Sequence, residues 1–227
     1  MTRRKIVFVI VEGVSDEEAL GAILSNYYDK NSVYFHIMRC DITTQKGVRP
    51  DNILSRITKV IKDYANNNFV TKVHFQEIIH ITDTDGAYIS NDQIVEDVSR
   101  DKPHYSITEI RCNNPQNIVD RNIQKRANLD KLSSTKAVWG SIPYQIYYMS
   151  CNLDHVLYNK LNSSNEEKER DALQFARKYK SDIEGFIRFI SASDFTVHGD
   201  YKQSWNYIKE DNRSLERHTN FGLCFNK

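Results

Sequence analysis

The first half of the sequence alternates buried strands with amphipathic helices, and this alternation restricts the fold more than any other feature. Apolar runs at 5–11 and 77–82, with VYFHIM at 33–38 between them, predict three strands. Apolar residues at helical spacing follow the first run from Ser15 onward and recur over 51–66. Because strands that alternate with helices pair in parallel through crossover connections, the sequence predicts an α/β fold with a mostly parallel sheet flanked by helices.

The second half of the sequence predicts further strands and a helical end. Strands are predicted at 105–110 and 143–149, with a helix near 116–127 between them. Helical patterns then dominate the chain as far as residue 217. We therefore divide the chain into a sheet domain at 1–162 and a helical C-terminal extension at 163–227, which we expect to pack on the sheet.

Charge and composition exclude several classes of protein. The 31 basic and 30 acidic residues give a net charge of +1, so binding to nucleic acid must come from a local patch. The four cysteines are far apart in the sequence and fit neither a zinc site nor a disulfide framework. The apolar run near the N-terminus is too short for a signal peptide, and no stretch approaches a membrane span. We expect a cytoplasmic protein with no membrane partner.

Acidic residues follow two of the predicted strands at the point where each strand ends. Glu12 and Gly13 follow the first strand, and Asp83, Asp85 and Gly86 follow the third. Because parallel strands bring their carboxyl ends to one crevice, we expect the three carboxylates to converge there. Clustered carboxylates repel one another unless a cation neutralises them, and Mg²⁺, with Mn²⁺ as a substitute, is the hard cation that suits them and phosphate oxygens. The two glycines are expected to leave room for a substrate backbone.

The local alternative is that these acids are only turn and helix-start residues. Asp-Gly is common turn chemistry, and Ser15 with Glu18 has the spacing of a capping box. Asp16, Glu17 and Glu18 would then be first-turn acids beside the positive end of the helix. For Glu12 and the Asp pair together, each closing a buried strand, we favour the metal site.

The combination of VEGVSDE after the first strand and DTD after the third resembles the Toprim domain of topoisomerases, primases and small nucleases. The resemblance covers roughly residues 5–155 and implies a Toprim-like, Rossmannoid fold. It implies that Glu12 acts as a general acid/base or metal ligand, and that Asp83 and Asp85 hold Mg²⁺. MSCNLDHVLY is similar to the phrase that carries a further acid in stand-alone bacterial Toprim proteins, which makes Asp154 a candidate metal ligand, although the family more often has Glu there.

Among Toprim groups, the sequence looks most like the small nucleases of the overcoming-lysogenization and RloB-like types and the effectors of bacterial anti-phage systems. This resemblance implies Mg²⁺-dependent hydrolysis of DNA or RNA by a toxic effector, acting with an ATPase partner of the ABC or SMC type. The sequence leaves open whether the protein forms a homo-oligomer. One alternative is a non-catalytic Toprim-like module for sensing or interaction. Another is a phosphatase similar to haloacid dehalogenases, with Asp83 as nucleophile, Asp85 as acid and Ser150 binding phosphate.

Basic residues near the predicted crevice are candidates for contact with nucleic-acid phosphates. They lie in the loop after the second strand and in the run at 121–136, which is explained equally well as a solvated helix face. His80, inside an apolar strand, is predicted to be a core histidine. The candidates for nucleic-acid binding are Lys46, Arg49, Arg121, Lys125, Arg126 and Lys136.

Overall fold

The computed structural model describes residues 5–28 and 33–225, and its centre is a mixed sheet. The strands, in chain order, are β1 (Lys5–Val11), β2 (Val33–Arg39), β3 (Phe75–Asp83), β4 (Ile94–Glu96), β5 (His104–Tyr105), β6 (Ile110–Cys112), β7 (Ala137–Val138) and β8 (Ile142–Met149). The central sheet has the order β2-β1-β3-β8-β7. Its first four members run parallel, whereas β7 is antiparallel to β8. The prediction of an α/β fold with a mostly parallel sheet is confirmed.

Helices cover both faces of this sheet. They are α1 (Val14–Tyr27), α2 (Ile53–Asn67), α3 (Pro115–Ser133), α4 (Leu153–Tyr158), α5 (Asn165–Tyr179), α6 (Ile183–Ala192) and α7 (Tyr201–Tyr207). Side chains of α2, α3 and α7 pack on Phe8 and Ile10, while those of α1, α5 and α6 pack on Val9 and Val11. Burial on both faces explains why β1 is a continuous apolar run rather than an alternating one. Within the described residues, no helix is both long and apolar enough to cross a membrane.

The C-terminal part of the chain returns to the strand ends of the sheet. Helix α5 packs along α1, and the segment after α7 is hydrogen-bonded to the end of β8. The amides of Ser150 and Cys151 donate to the carbonyls of His218 and Ser214, at 2.9 and 3.0 Å. The predicted extension therefore contacts the edge where the acids lie. The boundary at 162 stays a prediction, and residues 1–4, 29–32 and 226–227 lie outside the described residues.

Two predicted elements differ from the structure. The strand predicted at 105–110 is interrupted by a turn at 106–109, between the last residue of β5 and the first of β6. The hydroxyl of Ser106 accepts hydrogen bonds from the amides of Thr108 and Glu109 and so satisfies them outside a ladder. These strands form a small second sheet with the order β4-β6-β5. The helix predicted to run to residue 217 ends at Tyr207, because the chain then turns to bury Leu215 against the small sheet.

His80 is a core histidine, as predicted. Its ring lies on β3 with no solvent exposure, and Nδ1 forms a hydrogen bond of 2.8 Å with the hydroxyl of Tyr144. Nε2 has no hydrogen-bond partner in the described part of the chain. Burial lowers the pKa of His80 to about 3. The nearby Asp41 carboxylate acts to raise this pKa, and the Lys125 ammonium acts to lower it.

Replacing His80 with Gln should remove part of the acid sensitivity of the fold. The folded protein keeps His80 neutral, whereas the unfolded chain takes a proton near pH 6.5, so protonation favours unfolding as pH falls below that value. Between about pH 7 and about pH 4.5 the wild type should lose about 2 kcal/mol of unfolding free energy relative to His80→Gln. Urea denaturation across this range measures the difference, with His198→Gln at an exposed position as the matched control. If the unfolding free energies of wild type and His80→Gln change in parallel with pH, His80 is not kept neutral by the fold.

Candidate active site

The structure brings three of the four predicted carboxylates to one cavity at the carboxyl ends of the strands. Glu12 follows β1, Asp83 is the last residue of β3, and Asp154 lies in the first turn of α4, after β8. All three line a cavity of about 230 Å³. Asp85 does not line this cavity but borders an adjoining groove, which Asp83 also lines.

Glu12 and Asp83 reach this edge from opposite faces of the sheet. By the alternation of side chains along a strand, Glu12 lies on the same face of the sheet as Phe8 and Ile10, which face α2 and α3. Asp83 lies on the same face as Ile81, which faces α1 and α5. At the edge the two residues are directly linked, since the Asp83 amide donates to Glu12 Oε1 at 3.1 Å.

The Glu12 carboxylate is held through one of its two oxygens. Besides the Asp83 amide, Oε1 accepts hydrogen bonds from the Thr82 hydroxyl at 2.6 Å and from Lys125 Nζ at 3.3 Å. Among the described residues, Oε2 has no hydrogen-bond donor. Burial raises the pKa of Glu12 to about 7, although Lys125 acts in the opposite direction. A carboxylate in this state can exchange a proton near neutral pH.

Lys125 is a buried counter-ion between Glu12 and Asp85. Its side chain has no exposed surface, and Nζ donates to Asp85 Oδ2 as well as to Glu12 Oε1. Burial disfavours the charge of Lys125, yet the Asp85 and Glu12 carboxylates raise its pKa above the ordinary value. Burial would raise the pKa of Asp85, but Lys125 and Arg121 together hold it below its usual range. Asp85 and Lys125 are therefore both charged.

The backbone around Asp85 is fixed from several directions. Asp85 has a left-handed conformation with φ of +49°, which Asp tolerates better than most residues. Its amide donates to the Cys151 carbonyl at 2.8 Å, and its own carbonyl accepts from Arg121 Nη2 at 2.8 Å. Arg121 also donates to the hydroxyl of Tyr105 at 2.7 Å. Arg121 thus positions the loop after β3.

Asp83 lies in the site without a basic partner among the described residues. Burial, together with the neighbouring carboxylates of Glu12, Asp16 and Asp85, raises the pKa of Asp83 well above its ordinary value. Within the described residues, neither Asp83 nor Asp16 forms an ion pair with a lysine or arginine. A cation in the cavity would relieve this repulsion.

Asp16 lies in the first turn of α1, as predicted, but it lines the cavity as well and the sequence did not identify it as a site residue. Helix α1 begins at Val14, with Gly13 at the N-cap, so Ser15 and Glu18 do not form a capping box. Instead Asp16 Oδ2 accepts from the Gly13 amide at 2.8 Å, and the side chain also lines the cavity. The three-residue spacing between Gly13 and Asp16 is the signal that identifies this cap.

Asp154 lies at the far wall of the cavity and is paired with Lys168. Only 4% of its side chain is exposed, and Lys168 Nζ lies 3.4 Å from its Oδ2. Asn152 Oδ1 caps α4 by accepting from the His155 amide at 2.8 Å, which fixes the first turn that carries Asp154. Lys168 lies on α5, in the predicted extension, so no local sequence pattern predicts that it contacts Asp154.

The donor set of the cavity suits a hard divalent cation. Carboxylates of Glu12, Asp16, Asp41, Asp83 and Asp154 line it, and Asp83 and Asp16 have no ammonium partner in the described chain. Among the described residues, no group of three or more His, Cys, Asp or Glu side chains is arranged so that it could hold a metal ion by itself. Mg²⁺ needs no such group, because it is commonly bound by one or two carboxylates with water and phosphate oxygens. The residues present therefore fit Mg²⁺.

The predicted nucleic-acid-binding residues are not brought together. Arg121 and Lys125 point inward to Asp85, whereas Lys46 and Arg49 are exposed on the loop after β2. Arg126 is half-buried near the hydroxyl of Tyr88. Lys136 borders a separate, largely apolar cavity of about 770 Å³ between α3, β8 and α7, which contains none of the four predicted carboxylates.

Gly86 and Ser150 have roles other than those expected. A Cβ on Gly86 would lie 2.6 Å from Leu215 Cδ2, so this glycine accommodates Leu215 at a φ of +66° and does not open space for a substrate. Gly13, by contrast, lines the carboxylate cavity. Ser150 is fully buried, and its hydroxyl donates to the carbonyls of Arg213 and Glu216, which leaves no hydroxyl for phosphate.

Comparisons with protein-family models, with curated proteins and with solved structures find no match. The resemblance to Toprim domains therefore depends on the residues of the site and on their positions at the strand ends. The geometry of Glu12 and Asp83, together with the charge distribution around them, carries the functional argument.

Proposed function

We propose that this protein is a Mg²⁺-dependent nuclease of Toprim type that hydrolyses nucleic-acid phosphodiesters. One observation carries the proposal. Glu12 and Asp83, from neighbouring strands, are hydrogen-bonded to each other at a recessed cavity that Asp16 and Asp154 also line. The order of the two motifs and their places after strands agree with the Toprim resemblance.

The site residues have distinct roles in this proposal. Asp83, with Asp16 and Asp154 nearby, would hold Mg²⁺, which when bound neutralises phosphate oxygens and lowers the pKa of water. Thr82 and the Asp83 amide hold Glu12 Oε1, so that Oε2 is available to accept the proton of the attacking water. Lys125 keeps Asp85 ionised and fixes Glu12, which makes Asp85 less available as a metal ligand than the sequence implied.

Removal of the metal tests the proposal directly. Labelled DNA and RNA, each single-stranded and duplex, are incubated with the protein in Mg²⁺, in Mn²⁺ and in EDTA. We expect cleavage in the presence of a divalent cation and none in EDTA. Cleavage that persists in EDTA contradicts the proposal, as does a lack of cleavage together with a lack of divalent-cation binding.

A toxic role in anti-phage defence, with an ATPase partner of the ABC or SMC type, belongs to the same proposal and is supported by the resemblance alone. Expression in bacteria tests it, since the wild type should inhibit growth when the partner is activated and Glu12→Gln should not. Equal growth inhibition by both proteins would contradict a toxic nuclease activity.

A non-catalytic module for sensing or interaction is the second candidate. Lys125 favours it, because this ammonium already pairs with both Glu12 and Asp85 and occupies the position between them that a metal would take. The haloacid-dehalogenase-like alternative has less support, since the hydroxyl of Ser150 is buried and bonded to backbone carbonyls. Trapping of a covalent aspartyl phosphate would distinguish the phosphatase from the nuclease.

A further inference from the structure

A second opening leads to the carboxylates from the side of the small sheet. This opening, which we name the loop groove, has a volume of about 550 Å³ and is lined by residues 99–105, by 161–163 and by Asp83, Asp85, Asn152 and Lys168. Asp83, Asn152 and Lys168 also line the carboxylate cavity. The two spaces are therefore adjacent and meet at Asp83.

The walls of the loop groove are held together by paired hydrogen bonds. The Tyr105 amide donates to Asn162 Oδ1, and Asn162 Nδ2 donates back to the Tyr105 carbonyl, each at 2.8 Å. Asn152 Nδ2 donates to the Leu161 carbonyl at 3.1 Å, which ties the second wall to the start of α4. Such a groove keeps its shape before a ligand arrives, which lowers the entropic cost of binding.

The chemistry of the groove suits a phosphate backbone with accessible bases. The groove as a whole is lined by three acids, Asp83, Asp85 and Asp101, and by three basic residues, Arg100, Lys102 and Lys168. The excess of positive charge is on the loop, where Arg100 and Lys102 are exposed and Asp101 is the acid beside them. Arg100 is 42% exposed in its side chain and makes only a long ion pair of 3.3 Å with Asp97. The half-buried His104 ring borders the groove and offers a face for stacking. Positive side chains next to an aromatic ring are the combination that binds single strands.

The depth of the site favours an unpaired strand over a duplex. The side chains of Glu12 and Asp154 are only 13% and 4% exposed, so a phosphate must enter a recess to reach them. A strand within a duplex is held against its complement and must bend or unpair to enter such a recess, which costs free energy. An unpaired strand enters without that cost.

We propose that the loop groove binds an unpaired nucleic-acid strand, with Arg100 and Lys102 contacting its phosphates, and leads it to Asp83. This inference rests on the proposed nuclease function and names the substrate class and the path by which it reaches the site. It replaces the residues predicted from the sequence, which point inward or lie on other surfaces, with the 99–105 loop. DNA and RNA share the chemistry that the groove recognises.

Binding is measured by fluorescence anisotropy in EDTA, so that cleavage plays no part. The probes are a labelled single-stranded DNA, a single-stranded RNA of the same sequence and the duplex form of each. The test variant is Arg100→Gln/Lys102→Gln, and the matched control is Arg177→Gln/Lys178→Gln, which removes the same charge from exposed positions in the last turn of α5. Circular dichroism melting verifies that both variants are folded.

The wild type and the control should bind an unpaired DNA or RNA more tightly than its duplex. The test variant should bind roughly tenfold more weakly. The slope of the logarithm of its binding constant against the logarithm of salt concentration should fall in magnitude by about 1 to 2. Equal binding by the test variant and the control, tighter binding of the duplex, or no binding of any probe would overturn the inference. If the groove behaves as expected but neither metal-dependent cleavage nor divalent-cation binding is found, the nuclease proposal fails and the binding site stands.

Discussion

Replacement of Glu12 by Gln is expected to reduce metal-dependent cleavage about a thousandfold while the protein stays folded. Gln keeps an oxygen that can accept from the Thr82 hydroxyl and the Asp83 amide, so the local hydrogen bonds of Oε1 survive. It has no carboxylate oxygen to take a proton from water, and loss of a general base typically costs a factor of a hundred to ten thousand. Single-turnover cleavage of a labelled oligonucleotide in Mg²⁺ or Mn²⁺ measures the loss.

Glu17→Gln is the matched control for this substitution. Glu17 lies in the first turn of α1, close in sequence to Asp16, but its side chain is 41% exposed and pairs with Arg39 at 3.1 Å. This variant should cleave at the wild-type rate. If Glu12→Gln cleaves as fast as Glu17→Gln, Glu12 has no catalytic role.

Replacement of Lys125 by Met should destabilise the fold by about 3–5 kcal/mol. Met retains the apolar volume of the side chain but leaves the buried carboxylates of Glu12 and Asp85 without their counter-ion. Removing one partner of a buried ion pair costs about this much because the remaining charge is uncompensated. Urea denaturation near pH 8, above the pKa of about 7 that Glu12 has in the wild type, measures the change in unfolding free energy.

Two further variants separate the ion pair from general effects of the substitution. Lys59→Met removes an exposed lysine on α2 that pairs with Asp63, and such a surface pair is worth less than about 1 kcal/mol. Lys125→Met/Asp85→Asn removes one of the stranded charges and should recover part of the lost stability. If Lys125→Met is as stable as Lys59→Met, the buried counter-ion is not a structural requirement.

The position of Lys125 shows what the sequence predicted and what it missed. The run at 121–136 was interpreted as a solvated face or a nucleic-acid path, whereas Lys125 is fully buried. It lies on the inward stripe of α3 that also contains Ile118, Asn122 and Leu129. That spacing predicts burial of Lys125, and a buried lysine needs a carboxylate partner to compensate the loss of hydration.

Other parts of the site depend on contacts that no local pattern contains. The apolar runs of β1 and β3 predicted the sheet because strands covered on both faces have few polar residues, and their ends placed Glu12 and Asp83 correctly. Lys168 reaches Asp154 from a helix of the predicted extension, which is a long-range contact. The phosphatase alternative assigns phosphate binding to Ser150, but the returning chain near Ser214 covers this residue.

The central claim is that the carboxylate cavity holds a divalent cation through Asp83. Calorimetric titration of Mn²⁺ into wild type, Asp83→Asn and Glu17→Gln tests this claim without reference to substrate or partner. We predict that wild type and Glu17→Gln bind Mn²⁺ alike and that Asp83→Asn binds at least about tenfold more weakly. No binding to the wild type, or equal binding to Asp83→Asn, would contradict the claim and favour the non-catalytic module with Lys125 as its permanent cation.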